Sequence, residues 1–402
     1  MAAFDERAKV RGTAIEVLGA FLRLGFTSFG GPIAHLGYLR REFVERRKWI
    51  EDGEFAQLLA LCQFLPGPAS SQLGFSLGLL RAGWLGALAA FLAFTLPSAI
   101  LLFAFAALLP YVSGDAGDAA IHGLKLVAVA VVAQGVLGMA RQLCPDPQRA
   151  TIAAASAALI LVSGSAWMQI IVVVAGSVAG LVLCRGIRDV PGSGLHPPYG
   201  ASTGWTLLGI FTVLLLGLPL LAHGTGGLLA VIEGFYRAGA LVFGGGHVVL
   251  PLLKETVVAP GWISDDEFLA GYGAAQAVPG PMFTLAAYLG ARLPGGEGGL
   301  LGATTALVAI FLPGLLLVAG TLPLWRSIAN QRIAVRAVAG VNAAVVGLLG
   351  AALYDPVWTS AVRGGVDVAI AIVAFTLLVA WRASALMVVG WCVLSAATLT
   401  LI

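Results

Sequence analysis

FLRLGFTSFGGPIAHLGYLRREFVERRKWIEDGEFAQLLALCQFLPGP, residues Phe21–Pro68, decides the fold because the chain carries it twice. The second copy is FYRAGALVFGGGHVVLPLLKETVVAPGWISDDEFLAGYGAAQAVPGP, Phe235–Pro281. Arg23 answers Arg237, and Phe29-Gly30-Gly31 answers Phe243-Gly244-Gly245, with Gly246 lengthening the second run. Trp49-Ile50 answers Trp262-Ile263, and Asp52, Glu54 and Phe55 answer Asp265, Glu267 and Phe268. Gln63 and Pro66-Gly67-Pro68 answer Gln276 and Pro279-Gly280-Pro281. The separation is 214 residues at Arg23 and 213 at Trp49. A match that drifts by one residue over this length is an internal duplication.

Each copy breaks its own helices. Proline lacks an N–H and restrains the residue before it, so Gly30-Gly31-Pro32 stops one helix and starts another. Glu54–Leu65 and Ala69–Leu80, on either side of Pro66-Gly67-Pro68, are too short to cross a bilayer, which takes about 20 residues. They are predicted to be half-helices, re-entrant or broken. Such backbone persists at membrane depth only when it is buried in protein or lines a cavity.

The membrane setting follows from composition. Of 402 residues 59% are hydrophobic and 11% charged, and mean hydropathy is +0.94, which excludes an ordinary soluble domain. Met1–Gly12 reads as an uncleaved cytoplasmic tail. Spans are predicted at Gly83–Leu109, Ile121–Ala140, Thr151–Ser163 and Ala166–Leu183. Gly186–Thr203 is a Pro/Gly/Ser-rich linker, and Trp205–Leu221 is a span without a counterpart. Spans near Leu300–Leu324, Val335–Leu353, Val366–Ala380 and Ala385–Ile402 follow the second copy, and Pro97 and Pro313 fall at similar places in two long spans. The organisation predicted is a first membrane repeat over 1–185, a linker and extra transmembrane helix over 186–224, and a second repeat over 225–402.

Basic residues set the orientation. Arg40, Arg41, Arg46, Arg47 and Lys48 crowd the loop of the first copy, whereas the matching loop has only Lys254. Pro110–Ala120 holds Asp115 and Asp118 and nothing basic, while its counterpart holds Arg326, Arg332 and Arg336. The bias changes sides, so the repeats run in opposite directions and the unpaired span inverts the second. The fold class expected is an all-α polytopic membrane protein of two inverted repeats with broken half-helices, its N-terminus cytoplasmic and its C-terminus periplasmic. On this topology Lys254, Arg292 and Arg363 lie outside, and Arg23, Lys125 and Arg237 lie within the membrane.

An ionisable residue at depth is a candidate for function. Arg23 and Arg237 each precede a Phe-Gly-Gly by six residues, and an inverted fold brings them toward one site. Snorkelling, or pairing with Glu16 or Glu233, is the competing account. Lys125 sits close to a span end, and its repeat partner is Asn342. Gly30, Gly31, Gly244, Gly245 and Gly246 permit close backbone approach, and half-helices starting at depth offer N–H groups and a positive dipole end to an oxyanion. Arginine suits a tetrahedral oxyanion, since its planar fork donates in pairs and stays charged. His35 follows the first break and either donates to substrate or plays a structural part; His247 is two positions off its equivalent. Gln63 and Gln276 hydrogen-bond either substrate or unwound backbone. Asp52, Glu54, Asp265 and Glu267 are expected to cap half-helices. Cys62, Cys144, Cys184 and Cys392 have no metal-ligand spacing, so no cofactor or metal is expected.

The segments FGGPIAHLGYLRREFVERRKWI with QFLPGP, and FGGGHVVLP with GWISDDEF and QAVPGP, resemble the chromate ion transporter family in its long, two-domain form. The likeness covers nearly the whole chain. It implies a multi-pass carrier of the bacterial inner membrane that exports chromate, with sulfate as the look-alike dianion. A sulfate or other oxyanion carrier, and an anion channel on the same scaffold, are the alternatives. An oxyanion reductase would need a redox centre that the scattered cysteines do not supply, and no Gly-x-x-x-x-Gly-Lys phosphate loop is present. The partners expected are a chromate- or sulfate-like oxyanion and membrane lipid rather than nucleic acid, with a homodimer left open.

Overall fold

The computed structural model describes residues 12–29, 31–111, 115–163, 166–184, 195, 197–223, 226–243, 248–325, 327 and 331–400, and among them it has helices and no strand. Thr13 caps α1 (Ala14–Thr27) by accepting from the Glu16 N–H at 3.2 Å. Gly31, at φ +74°, opens α2 (Gly31–Arg40), which runs into a π turn over Arg41–Arg46. α3 (Asp52–Phe64) starts on a Glu51/Glu54 capping box. α4 (Ala69–Leu108) is two helices joined at Ala82 and Gly83, where the backbone leaves helical values with Gly83 at φ +66°. α5 (Asp115–Leu143), α6 (Pro147–Ser163) and α7 (Ala166–Leu183) complete the first repeat.

α8 (Ala201–Ala222) is the unpaired helix. The order then restarts with α9 (Leu228–Leu241), α10 (Val249–Val257) and α11 (Asp265–Ala277). A 3-10 turn at Met282–Thr284 leads into α12 (Leu285–Ala291), followed by α13 (Gly299–Thr321). α14 (Arg332–Ala352), α15 (Gly365–Val379) and α16 (Ala385–Thr400) close the chain. α1 and α9 both have 14 residues, and α3 and α11 both have 13. The two pieces of α4 stand where α12 and α13 stand.

Among the described residues five helices are long and apolar enough to cross a membrane: Ala69–Tyr111, Gly117–Leu143, Ala201–Ala222, Gly299–Leu324 and Ile333–Ala361. The chain is an all-helical polytopic membrane protein, with large apolar side chains such as Leu85, Ile100, Leu220 and Val308 exposed on its outer surface.

In space the repeats interleave. α5 packs on α15 and α16 of the other repeat, while α14 packs on α6 and α7. A Cβ on Gly123 of α5 would stand 2.6 Å from Val393 Cα, and one on Gly340 of α14 would stand 2.7 Å from Gly180 Cα. Backbone this close requires glycine. Aligning Gly123 with Gly340 also aligns Lys125 with Asn342, so this crossing is one contact made twice with the halves exchanged. The same exchange marks the apolar cores: one joins α1, α3 and α4 to Leu317, Val318 and Leu322 from the end of α13, and the other joins Leu102 and Ala106 of α4 to α9–α14. The two largest apolar cores therefore draw residues from both halves of the sequence.

Candidate functional site

The proline-flanked turns build the centre. Gly67 and Gly280 adopt φ of +121° and +110°, values that only glycine holds without strain. The Gly67 N–H donates to Val242 O at 2.7 Å, and the Gly280 N–H donates to Ser28 O at 2.9 Å. Ser28 and Val242 terminate α1 and α9, one residue before each Phe-Gly-Gly. Each repeat thus inserts its Pro-Gly-Pro turn at the helix break of the other. The turns also lean on the opposite long helix just beyond its proline. A Cβ on Gly67 would stand 3.0 Å from Gly314 Cα, and one on Gly280 would stand 2.7 Å from Ser98 Oγ.

Side chains fasten this backbone crossing. Gln72 Nε2 donates to Pro66 O at 2.9 Å and to Gly314 O at 3.0 Å, tying the first turn to α13. His35, buried on α2, donates from Nε2 to Ser28 O at 3.0 Å and sets its ring edge-on to Phe94. A carbonyl only accepts, so Nε2 carries the proton. Through this bond His35 staples α2 to the end of α1 at the first break. Gln72 was not legible as a site residue; its one signal is a polar Ser70-Ser71-Gln72 run directly after Pro68. Ser28 Oγ, Ser71 Oγ, Gln72 Oε1, Thr95 Oγ1, His35 Nδ1 and Gln276 Nε2 are buried with no partner among the described residues. Buried polar groups are ordinarily hydrogen-bonded, so these atoms retain capacity for a polar ligand.

The remaining candidates divide. Gly31 has open space where a Cβ would point. Phe29 and Phe243 are half-buried beside the crossing residues, Pro32 lies in the first turn of α2, and Pro68 caps α4. Pro66, Pro279 and Pro281 flank the two turns. Gly30, Gly244, Gly245, Gly246 and His247 lie outside the described residues. Gln276 is buried whereas Gln63 is exposed, so this pair is not equivalent. Arg23 is exposed on α1 with no carboxylate at ion-pair distance among the described residues, and Glu16 bonds Arg81 instead. Arg237 is half-exposed and donates from Nε to Glu233 at 2.7 Å. No contact joins the two arginines. Lys125 is buried and engaged by Asp266 of α11, while Asn342 is buried with Oδ1 unpartnered.

The acids at the start of α11 do more than cap. Ser264 supplies the cap, accepting from the Glu267 N–H at 3.2 Å. Asp265 pairs with Lys254 at 2.9 Å, Asp266 with Lys125, and Glu267 with Arg292. In the first repeat Asp52 bonds Arg40 at 2.9 Å, and Glu54 accepts from the Glu51 N–H. Among the described residues no group of His, Cys, Asp or Glu could hold a metal ion, and all four cysteines are free. The arrangement brings helix ends and unpartnered neutral polar atoms of both repeats together at the crossing.

The family model described as chromate transporter matches residues 15–181 and again 229–399. A chromate transport protein of Pseudomonas aeruginosa is 28% identical over 351 residues, covering 87% of this chain and 82% of its own. A chromate transport protein of Cupriavidus metallidurans is 29% identical over 357 residues, covering 88% and 84%. Both relatives are named as transport proteins rather than enzymes. No solved structure matches. Matched once on each copy of its duplicated helix-break unit, the chain belongs to the chromate transporter family.

Proposed function

We propose that this chain is a secondary transporter that exports chromate, a tetrahedral dianion, across the bacterial cytoplasmic membrane, with sulfate as its close analogue. The observation that supports this most is the pair of crossed backbone bonds, Gly67 to Val242 and Gly280 to Ser28. They bring the N-terminal start of α4 and the turn that leads into α12 up to the breaks of the opposite repeats. It is N-terminal helix ends, not the carbonyl ends at Ser28 and Val242, that hold anions in transporters built from broken helices. Arg23 and Arg237 stand five residues, about one and a half turns, before Ser28 and Val242. In this reading Arg23 supplies uncompensated charge, and Arg237 shares its charge with Glu233. Ser28, Ser71 and Gln276 complete the oxyanion's shell.

The relatives' names point to chromate, whereas the residues select only for charge and shape, so sulfate is a competitor. In this reading the basic run Arg40–Lys48 lies on the cytoplasmic side, with the N-terminus inside and the C-terminus outside. Two negative charges leaving a cell that is negative inside gain about 4.6 kcal/mol per 100 mV, so the membrane potential alone drives export. Chromate uptake into inside-out vesicles, with sulfate and molybdate as competitors, tests the reading. Saturable uptake inhibited by sulfate supports it. A non-saturating conductance makes the protein a channel, and an absence of flux for all three oxyanions overturns it.

A further inference from the structure

One pair of equivalent helices is not packed alike. α11 lies against α5 of the other repeat, while α3 packs mainly on α4 of its own and makes no comparable contact with α14. On α11, Leu269 and Ala270 are fully buried, and a Cβ on Gly273 would stand 2.2 Å from Leu124 O. Asp266 reaches across to Lys125, whose side chain is 3% exposed. The matching positions on α3 are Ala56, Gln57, Ala60 and Gly53. Ala56 and Gly53 are exposed, Gln57 and Ala60 are half-buried, and Gln63 on the same side is exposed while its counterpart Gln276 is buried. On α14 the counterpart of Lys125 is Asn342, whose Oδ1 has no partner among the described residues.

We propose that α3 and α11 are the two gates of the transport path, and that the structure holds α11 shut on α5 by the Lys125–Asp266 latch while α3 stands open. The proposal rests on the transporter reading and adds how access to its site is switched. Repeats with the same order of elements offer α3 the seat on α14 that α11 occupies on α5. Val341 and Asn342 at that seat are buried here and α10 packs on α14, so α3 takes the seat by displacing what now covers it. The uncovered side of α3 suits that seat, because Gly53, Ala56 and Ala60 are small enough for a close helix approach like that of Gly273. The latch suits a gate as well. Lys125 is buried, but the Asp266 side chain is 67% exposed, so water reaches the pair and screens it enough to open.

No ion pair is available on the other side, where Gly53 would meet Asn342. Closing α3 therefore gains only neutral contacts, and the resting balance favours α11 shut. The neighbouring pairs do not bridge the gate. Lys254–Asp265 and Arg292–Glu267 hold the start of α11 within its own repeat, and His122–Asp367, at 2.8 Å, ties α5 to α15, which leaves Lys125–Asp266 as the latch. On the orientation proposed above, the shut gate is the outer one. The resting protein then opens toward the cytoplasm, where an anion to be exported is found.

Two cysteine pairs test this in the full chain with Cys62, Cys144, Cys184 and Cys392 replaced by alanine: Lys125→Cys with Asp266→Cys, and Gly53→Cys with Asn342→Cys. In the first pair the disulfide stands in for the latch, and once oxidised it should stop chromate flux measured against the same variant kept reduced. The second should cross-link slowly, and several-fold faster when Asp266→Asn removes the latch. If the second pair never cross-links with Asp266→Asn present, α3 is no gate; if the oxidised first pair transports at the parental rate, α11 is none. Should the parent move no oxyanion while Asp266→Asn still speeds cross-linking of the second pair, the gates stand and only the cargo falls.

Discussion

Replacing Gly67 or Gly280 with alanine should disable the crossing, and the cost can be worked from the geometry. At φ of +121° and +110° a residue with a Cβ is strained by about 1–3 kcal/mol. Gly67→Ala also drives its Cβ to 3.0 Å from Gly314 Cα, which is backbone and cannot yield cheaply. Turning the peptide to escape sacrifices the N–H to Val242 O bond, about 1 kcal/mol more. A total of about 2–4 kcal/mol lowers the seated fraction of the turn about 30- to 700-fold relative to the unseated one. The assay is chromate uptake in vesicles beside thermal melting of the purified protein. Both variants should lose at least tenfold in flux, Gly67→Ala more, because the atom facing Gly280 is the movable Ser98 Oγ. Adding Ser98→Ala should restore part of the loss in Gly280→Ala only. Gly209→Ala on α8, where a Cβ meets open space, is the control and should be silent. Parental flux and melting in both turn variants would refute the claim that these turns seat the site.

Three other outcomes follow from named contacts. Arg23→Ala should cut flux at least tenfold without preventing insertion, and Arg237→Ala should cut it less because Glu233 already offsets that charge; unchanged uptake with both replaced would remove the arginines from the site. Burial acts to raise the carboxyl pKa of Glu42, yet hydrogen bonds from Arg47 at 2.6 Å and Arg46 at 2.9 Å carry it below the usual value. The stability it supplies is complete above the unfolded carboxylate pKa and is lost as pH falls through the lower folded value, so Glu42→Gln should cost about 1–2 kcal/mol at pH 7 in detergent melts, and that cost should shrink as the melts are taken to acid pH. Gly340→Ala would place a Cβ 2.0 Å from Gly176 O, and the forced separation of α14 from α7 should cost about 1–3 kcal/mol or more; an unshifted melting curve would contradict that packing.

Helix breaks were legible because proline and glycine act on their own backbone. Gly30-Gly31-Pro32, the two Pro-Gly-Pro turns and the bend at Gly83 read directly as ends, and α7 begins and ends where the apolar run does. Contacts between distant residues were not legible. Nothing local says that Gly67 will bond Val242, or that α5 will leave its own repeat for α15 and α16. Charge was legible as unusual but not in its pairing: Arg23 and Arg237 look alike in sequence, yet only Arg237 has a glutamate one turn away at Glu233. The acids after Trp262-Ile263 read as caps from position alone, and reaching Lys125 and Arg292 depends on tertiary packing.

The crossing is two-fold in its backbone and one-fold in its side chains, and that combination has a consequence for transport. Gln72 and His35 fasten the first turn and the first break, whereas their counterparts, Leu285 and Val249, have no polar atom to do the same. The paired N–H bonds therefore fix where the helix ends meet, while the side chains make one end stiffer than the other. A site held by backbone bonds that both repeats make need not be rebuilt when α3 and α11 exchange places. The oxyanion can stay at one depth while the path to it changes sides, and the unequal fastening leaves the second turn, at Gly280, as the softer of the two. Loss of the Gln72 clamp should then make the turns more alike, so Gln72→Leu is expected to raise cross-linking between Gly53→Cys and Asn342→Cys at a cost in melting temperature. A variant that melts lower with no change in cross-linking would show that the clamp supports the fold and has no part in setting the balance between the gates.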